Sequence, residues 1–220
     1  MIRLRTFIVC ERQHQLEIPD KFKEDDNRSF EEVVEYFIRK FTEPGDTVLD
    51  IFAGLGTTLI ISEKLKRVPY GLEYLEDRYN YVISKIQHKE NLILGDARKL
   101  LEYKFPPIDL VYTSPIFMNK NENRDPLNGY KSEGNYNKFL KGLQSIFTDL
   151  KLFLKLNSKI IIEVANLKGD GITTLAWDLG KILSEILYFD GEVIICWEGS
   201  RDSESAGYDH SYCLIFTNKH

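Results

Sequence analysis

Two closely spaced glycines followed by an acid are the first residues whose spacing suggests chemistry. Gly54 and Gly56 stand between the apolar run 47–52 and a stretch with helical apolar spacing. Glycines at such a turn let a ligand approach the backbone, and the free N–H groups at the helix start face that ligand. Glu73 comes 17 residues after Gly56, where a carboxylate can accept hydrogen bonds from ribose hydroxyls. A glycine pair also occurs for packing alone, and it is Glu73 that favours a nucleoside-binding turn.

Two common nucleotide sites do not fit this turn. Leu59 holds the position of the third glycine that NAD-binding turns carry, and no P-loop lysine follows the glycines. The pattern therefore argues against NAD and ATP as ligands.

A serine–proline–aromatic segment follows another apolar run. Ser114, Pro115 and Phe117 come directly after the predicted strand 108–112. Two acceptors that hold the hydrogens of an aromatic amino group leave its lone pair aimed at a sulfonium methyl. The Ser114 hydroxyl and the Pro115 carbonyl are candidates for these acceptors, and Phe117 is a candidate for stacking on the base. The structural alternative is a proline-terminated strand with a core phenylalanine, and the nearby glycine turn favours the chemical interpretation.

Alternating strands and helices must position these residues. Strands are predicted at 47–52, 68–73, 91–94, 108–112, 159–165, 192–197 and 211–216, and helices at 29–41, 57–66, 76–88, 136–156 and 173–188. This order predicts an α/β fold with a mostly parallel sheet of about seven strands and helices on both faces. No helix separates the last two strands, so we expect a hairpin and an antiparallel last strand. Ser29 and Glu32 are expected to form a capping box.

Two polar segments complete the predicted organisation. Residues 1–220 are expected to form one domain, with an N-terminal extension at 1–28. The segment 118–137 is rich in asparagine and glycine, which favour turns. A loop of this length in a compact domain is typically functional, and we expect it on the substrate side.

Charge and composition limit the function classes. The net charge of −5 counts against a dedicated nucleic-acid binder, although a local basic surface remains compatible with it. A comparatively basic N-terminal segment, which a solvated surface explains equally well, contains Arg3, Arg5, Arg12, Lys21, Lys23 and Arg28. Three distant cysteines and four scattered histidines predict neither a disulfide framework nor a metal site. Without a membrane-length apolar run or a signal peptide, we expect a cytoplasmic protein and no membrane partner.

Together the motifs resemble the amino-methylating DNA methyltransferases, which act on adenine N6 or cytosine N4. LDIFAGLGTT (49–58) followed by GLEY (71–74) is similar to their LDPFxGSGTT…GIE cofactor region. TSPIF (113–117) is similar to their catalytic (D/N/S)PP(Y/F) motif, and NLILGDA (91–97) to the segment that contacts the cofactor's adenine. The resemblance implies a Rossmann-like methyltransferase sheet and S-adenosylmethionine as the cofactor.

The same resemblance assigns roles to individual residues. The residues implied to hold the methionine end of the cofactor are Asp50, Phe52, Gly54, Gly56, Thr57 and Thr58. Glu73 is implied to bind the ribose, and Asp96 the adenine amino group. Ser114, Pro115 and Phe117 would form the catalytic loop.

The sequence departs from the family pattern at two positions and lacks a recognition domain. Ile51 replaces the proline after the aspartate, and Ile116 replaces the second proline of the catalytic motif, which loosens that loop. Ordinary sheet elements fill the chain between the glycine turn and Ser114. Substrate recognition is therefore expected from the loops 118–137 and 198–210, or from a protein partner or a second copy of the chain.

Four functions remain open at this point. DNA is the first expected substrate, and the serine of the catalytic motif leans toward cytosine N4. RNA is the second, because the same motif serves enzymes that methylate adenine or guanine amino groups in RNA. A non-catalytic S-adenosylmethionine-binding subunit and a small-molecule methyltransferase follow. A cytosine-C5 enzyme is excluded, because the chain has no Pro-Cys nucleophile.

Overall fold

A mixed β-sheet forms the centre of an α/β fold. The computed structural model describes residues 5–24, 26–198 and 208–219. The strands are β1 (Phe7–Glu11), β2 (Thr47–Asp50), β3 (Val68–Glu73), β4 (Leu92–Leu94), β5 (Ile108–Thr113), β6 (Leu154–Val164), β7 (Leu167–Lys168), β8 (Ile172–Thr173), β9 (Tyr188–Glu198) and β10 (His210–Thr217). The helices are α1 (Glu31–Phe41), α2 (Thr57–Lys64), α3 (Glu76–Ile83), α4 (Tyr136–Leu150) and α5 (Leu175–Leu183). Five short 3-10 helices lie at 20–22, 89–91, 97–102, 126–128 and 151–153 in the described chain.

The strand order confirms the predicted sheet. Eight strands are hydrogen-bonded in the order β1-β9-β10-β6-β5-β2-β3-β4. All neighbouring pairs are parallel except those that involve β10, which is antiparallel to both β6 and β9. The predicted terminal hairpin is therefore confirmed. The β7 and β8 strands form a separate small hairpin after β6.

Helices cover both faces of the sheet, as predicted. The amphipathic α1 buries Val34 and Phe37 with the α2 side chain Ile61 on one face. On the other face, α4 and α5 bury Phe147 and Leu179 against the sheet. Two apolar layers thus hold the sheet between them and fix the edge where its strands end.

The predicted helices extend beyond the observed ones at several ends. The α4 helix stops at Leu150 and a 3-10 turn leads into β6, although apolar residues continue at helical spacing through Leu156. Likewise α2 ends at Lys64 and α3 at Ile83. The pairing of Leu154 with Ile108 of β5 outweighs the local periodicity, because only tertiary contacts distinguish a strand from a helix here.

The predicted capping box is wrong. Phe30 occupies the N-cap of α1 in an extended conformation, and no side chain caps the helix start. The Ser29 hydroxyl lies instead beside the buried carboxyl of Glu163 in β6. A tertiary partner has therefore replaced the expected local hydrogen bond.

The N-terminal segment adds one strand to the predicted sheet. Residues 7–11 pair in parallel with 194–198 of β9, which makes β1 an edge strand with alternating burial. Arg3 and residues 199–207 of the expected recognition loop lie outside the described residues.

The carboxyl ends of β2 and β5 lie side by side. Val48 pairs with Leu110 and Leu49 with Val111, so the chain leaves both strands at the same edge. Connections from neighbouring strands to opposite faces open a crevice at such an edge. The glycine turn and the Ser114–Phe117 segment both start there.

Candidate active site

A cavity of about 470 Å³ opens at this edge. All the residues predicted for the site line it except Gly56. The structure thus brings together the turn after β2, the acid at the end of β3, the segment after β4 and the loop after β5. Two further walls come from residues 27–29, which were not predicted, and from 126–127 and 129–130, which belong to the loop expected on the substrate side.

The two glycines of the turn have different surroundings. Gly54 lines the cavity at φ +56°, and a Cβ atom there would meet nothing closer than the Phe52 carbonyl oxygen at 3.8 Å. Gly56 has φ +82°, and its Cβ would lie 2.6 Å from Cγ1 of Val82 in α3. Gly54 therefore leaves room for a ligand, whereas Gly56 allows the turn to pack against a helix.

The Glu73 carboxylate is fixed at the cavity wall. Its Oε2 accepts a hydrogen bond from the Gly54 N–H at 2.7 Å, and its Oε1 accepts one from the Leu75 N–H at 2.8 Å. Burial raises the pKa of Glu73, opposed by these N–H donors and by the charge of Arg78. Each carboxylate oxygen can accept a further hydrogen bond, so ribose hydroxyls have acceptors here.

Asp50 ties the ends of three elements together. Its carboxylate accepts hydrogen bonds from the hydroxyls of Thr58 and Thr113, both at 2.7 Å, and from the Phe52 N–H at 3.0 Å. Burial raises the pKa of this carboxyl, and the same donors oppose that rise. Asp50 thus anchors α2 and β5 to β2 and holds the cavity floor rigid.

Thr57 carries a buried hydroxyl that needs a partner. Among the described residues its Oγ1 makes no hydrogen bond, although Thr57 lines the cavity at the first position of α2. A buried polar group without a partner is costly, and the start of a helix attracts anionic groups. The carboxylate at the methionine end of S-adenosylmethionine fits both features.

Asp96 is already engaged by a neighbouring arginine. Its carboxylate accepts the Arg98 N–H at 2.9 Å and is held by the guanidinium of the same residue. Burial alone would raise the pKa of Asp96, but the hydrogen bonds and charge of Arg98 lower it. An adenine amino group that binds Asp96 must therefore share this carboxylate with Arg98.

The residues predicted to form the catalytic loop, Ser114, Pro115 and Phe117, all line the cavity. Pro115 is buried, whereas Ile116 and Phe117 expose 36% and 41% of their surface. The Ser114 hydroxyl has no hydrogen-bond partner in the part of the chain that the structure describes. An acceptor and an aromatic face are thus available on the same wall.

The segment 26–31 closes one side of the cavity through a buried ion network. The Arg28 guanidinium donates to the Leu16 carbonyl at 2.7 Å and lies 3.7 Å from the Glu31 carboxylate. Burial alone would raise the pKa of Glu31, but hydrogen bonds from His14 and from the 15–16 backbone lower it to about 2. This network locks the N-terminal segment onto the start of α1 beside the cavity.

The 118–137 segment closes the other side. The Tyr74 hydroxyl donates to the Asn128 carbonyl at 3.3 Å, and the Lys131 amino group lies 3.0 Å from that hydroxyl. Pro126, Leu127 and Tyr130 line the cavity, as does Tyr74. Part of this segment is therefore a wall of the cavity.

The described ranges contain neither a membrane-spanning helix nor a metal-binding cluster. None of their helices is long and apolar enough to cross a bilayer. Within the same ranges, no group of three or more histidine, cysteine, aspartate or glutamate residues is arranged to hold a metal ion.

Comparisons with known proteins agree with this geometry. A family described as DNA methylase matches residues 23–85, which include the glycine turn and Glu73. No protein of curated function matches the sequence significantly.

Solved structures share the fold at low sequence identity. TrmN from Thermus thermophilus is 16% identical with a TM-score of 0.57, and the alignment covers 90% of this chain and 52% of TrmN. The chain thus spans about half the length of that protein. Magnesium protoporphyrin IX methyltransferase from Synechocystis PCC 6803, with bound S-adenosylmethionine, is 15% identical with a TM-score of 0.55 and coverages of 84% and 76%. An rRNA methylase from Streptococcus thermophilus is 12% identical with a TM-score of 0.54 and coverages of 86% and 96%. The chain has the fold of S-adenosylmethionine-dependent methyltransferases, and S-adenosylmethionine is the cofactor that its cavity fits.

Proposed function

We propose that the chain transfers a methyl group from S-adenosylmethionine to an exocyclic amino nitrogen of a nucleic-acid base. The observation that carries this proposal is the shared cavity. It joins the glycine turn and Glu73 to the Ser114–Phe117 loop. A cofactor held by the glycine turn and Glu73 would present its methyl group near the Ser114 hydroxyl and the Phe117 ring.

Four residues would hold the cofactor. Glu73 would accept the ribose hydroxyls, and the Thr57 hydroxyl with the α2 N–H groups would bind the methionine carboxylate. Gly54 would keep the wall free of a side chain, and Asp96 would accept the adenine amino group in competition with Arg98. Asp50 would act indirectly by holding the turn in place.

The loop after β5 would orient the substrate. When bound, S-adenosylmethionine supplies an electrophilic methyl on a sulfonium, so transfer forms an N–C bond, breaks a C–S bond and releases an amino proton to water. The Ser114 hydroxyl and the Pro115 carbonyl would each accept one amino hydrogen, and Phe117 would stack on the ring. Ile116 leaves this loop less rigid than a second proline would, which predicts a lower rate rather than a different reaction.

DNA is the first substrate we propose, and RNA the second. The match to a DNA methylase family supports DNA. The fold shared with an rRNA methylase supports RNA, where an unpaired base needs no flipping. In either case target recognition would come from the 118–137 and 198–210 loops, from a protein partner or from a second copy of the chain.

Label transfer tests the proposal. The protein is incubated with methyl-labelled S-adenosylmethionine and separate pools of DNA, tRNA and rRNA, beside the double variant Ser114→Ala/Phe117→Ala. A matched double variant, Phe7→Ala/Ser184→Ala, removes the same side chains from outside the cavity. We expect label in one pool with the wild type and the matched variant, and a loss of about 100-fold or more in the loop variant.

Two results would contradict the proposal. Label that survives the loop double variant would remove the catalytic assignment. Cofactor binding without transfer to any pool would favour the non-catalytic subunit instead.

A further inference from the structure

Tyr130 stands at the cavity wall in an unfavourable backbone conformation. Its φ is +64°, in the left-handed region that side chains other than glycine and asparagine rarely adopt. The residue lines the cavity, yet 43% of its surface is exposed. A large aromatic side chain at such a position gains little from burial, so its own packing does not account for the conformation.

The surrounding loop is built to hold this conformation. The Tyr130 N–H donates to the Asp125 carbonyl at 2.9 Å, and the Asp125 N–H donates to the Ser132 carbonyl at 3.0 Å. An antiparallel bridge between Arg124 and Glu133 closes the same turn. Several backbone contacts therefore fix Tyr130, and strain that is held in this way is characteristic of ligand-binding positions.

The ring of Tyr130 is left without a partner of its own. Among the residues that the structure describes, it has no stacking or hydrogen-bond contact. Tyr74, on the same wall, has both a hydroxyl hydrogen bond and the Lys131 amino group over its ring. The two tyrosines thus differ, because Tyr74 anchors the loop whereas the face of Tyr130 remains available.

Tyr130 lines the same cavity as Phe117. Burial and the negative charge of Glu122 raise the pKa of Tyr130. The Glu122 carboxylate accepts a hydrogen bond from the N–H of Asn119, which follows Phe117 by two residues. Two exposed aromatic side chains, Phe117 and Tyr130, thus line one cavity, and neither has a stacking partner among the described residues.

We propose that Tyr130 is a second aromatic wall of the target-base site and stacks, with Phe117, on the planar amino-bearing base. The inference rests on the proposed function and adds the residue that selects a flat heteroaromatic substrate. Stacking is tolerant of base identity because every base presents a π-face. Tyr130 would therefore affect substrate binding more than the choice among bases.

Three variants test the role of the ring. Tyr130→Asn removes it but keeps a residue that tolerates a left-handed backbone, and Tyr130→Phe keeps the ring without the hydroxyl. Tyr188→Asn is the matched control, because Tyr188 is an exposed tyrosine where β9 begins, at the opposite edge of the sheet. Each variant is measured for thermal unfolding, for S-adenosylmethionine affinity by calorimetry, and for KM and kcat with the nucleic acid that the wild type methylates.

We expect the loss of the ring to weaken the binding of the nucleic-acid substrate and to leave cofactor binding unchanged. Tyr130→Asn should lower kcat/KM about 5- to 150-fold, mainly through KM, with cofactor affinity within about twofold of the wild type. Tyr130→Phe and Tyr188→Asn should resemble the wild type in all three measurements.

Other results would overturn the inference and are distinguishable. An active wild type with an unchanged Tyr130→Asn variant refutes the role of Tyr130 alone. Weakened cofactor affinity in that variant assigns the ring to the cofactor's adenine and also refutes it. A wild type that methylates no nucleic acid refutes the proposed function, and the inference falls with it.

Discussion

Replacing Gly56 by alanine should destabilise the fold far more than it weakens cofactor binding. The left-handed backbone at φ +82° costs an alanine about 1–2 kcal/mol. The added Cβ would lie 2.6 Å from Cγ1 and 3.0 Å from Cγ2 of Val82, whose branched side chain on α3 cannot turn away. Such overpacking costs about 1–3 kcal/mol more. The sum of about 2–5 kcal/mol corresponds to a fall in Tm of roughly 4–20 °C for a chain of this size.

The matched change at Gly54 should weaken cofactor binding more than it destabilises the fold. Gly54→Ala has the backbone term of about 1–2 kcal/mol but no steric term, because the space beside Gly54 is open to the cavity. Its methyl group would instead occupy ligand space and weaken S-adenosylmethionine binding about tenfold or more. Thermal unfolding and calorimetry on both variants separate the two glycines.

A double-mutant cycle isolates the steric part. In a Val82→Ala background, Gly56→Ala should lose only the backbone term, so the coupling energy should be about 1–3 kcal/mol. A Gly56→Ala variant as stable as the wild type, or a coupling energy near zero, would refute the packing argument.

Three further predictions follow from single contacts. Thr57→Val removes a buried hydroxyl without a described partner, so it should leave the free protein as stable or about 1 kcal/mol more stable, yet weaken cofactor binding about 5- to 10-fold; unchanged affinity in calorimetry would contradict this. Arg98→Ala frees the Asp96 carboxylate and should tighten cofactor binding about two- to fivefold, since the half-exposed pair is a modest competitor; weaker binding would show that Arg98 itself holds the ligand. Glu31, with a pKa lowered to about 2 from 4.5, stabilises the fold fully above pH 4.5 and loses this contribution as the pH falls toward 2. Glu31→Gln should lower the free energy of unfolding by about 3 kcal/mol at neutral pH. Denaturant titrations at several pH values should also show a weaker dependence of that free energy on pH below 4.5, and an unchanged dependence would count against the ion network.

The central part of the site could be predicted from the sequence, because a parallel sheet brings the carboxyl ends of its strands to one edge. Gly54, Glu73 and Ser114 each follow an apolar run, and the carboxyl ends of parallel strands meet at one edge. Recognising the strands and their alternation with helices was therefore enough to bring these residues together.

The remaining features depend on contacts that sequence patterns do not encode. The β1 strand pairs with β9, nearly the whole chain away, and its five residues carry little pattern of their own. The competition of Arg98 for the Asp96 carboxylate was not predicted, because the spacing of two residues does not indicate whether their side chains pair. The left-handed Tyr130 lies in a segment whose asparagines and glycines indicate turns without indicating which side chain lines the cavity.

The identity of the methylated nucleoside is the sharpest test of the proposed amino methylation. Nucleic acid methylated by the wild-type protein is digested to nucleosides and analysed by mass spectrometry against methylated standards. We predict a methyl group on an exocyclic amino nitrogen of adenine, cytosine or guanine. A methyl group on a ring carbon, a ring nitrogen or the ribose would contradict it.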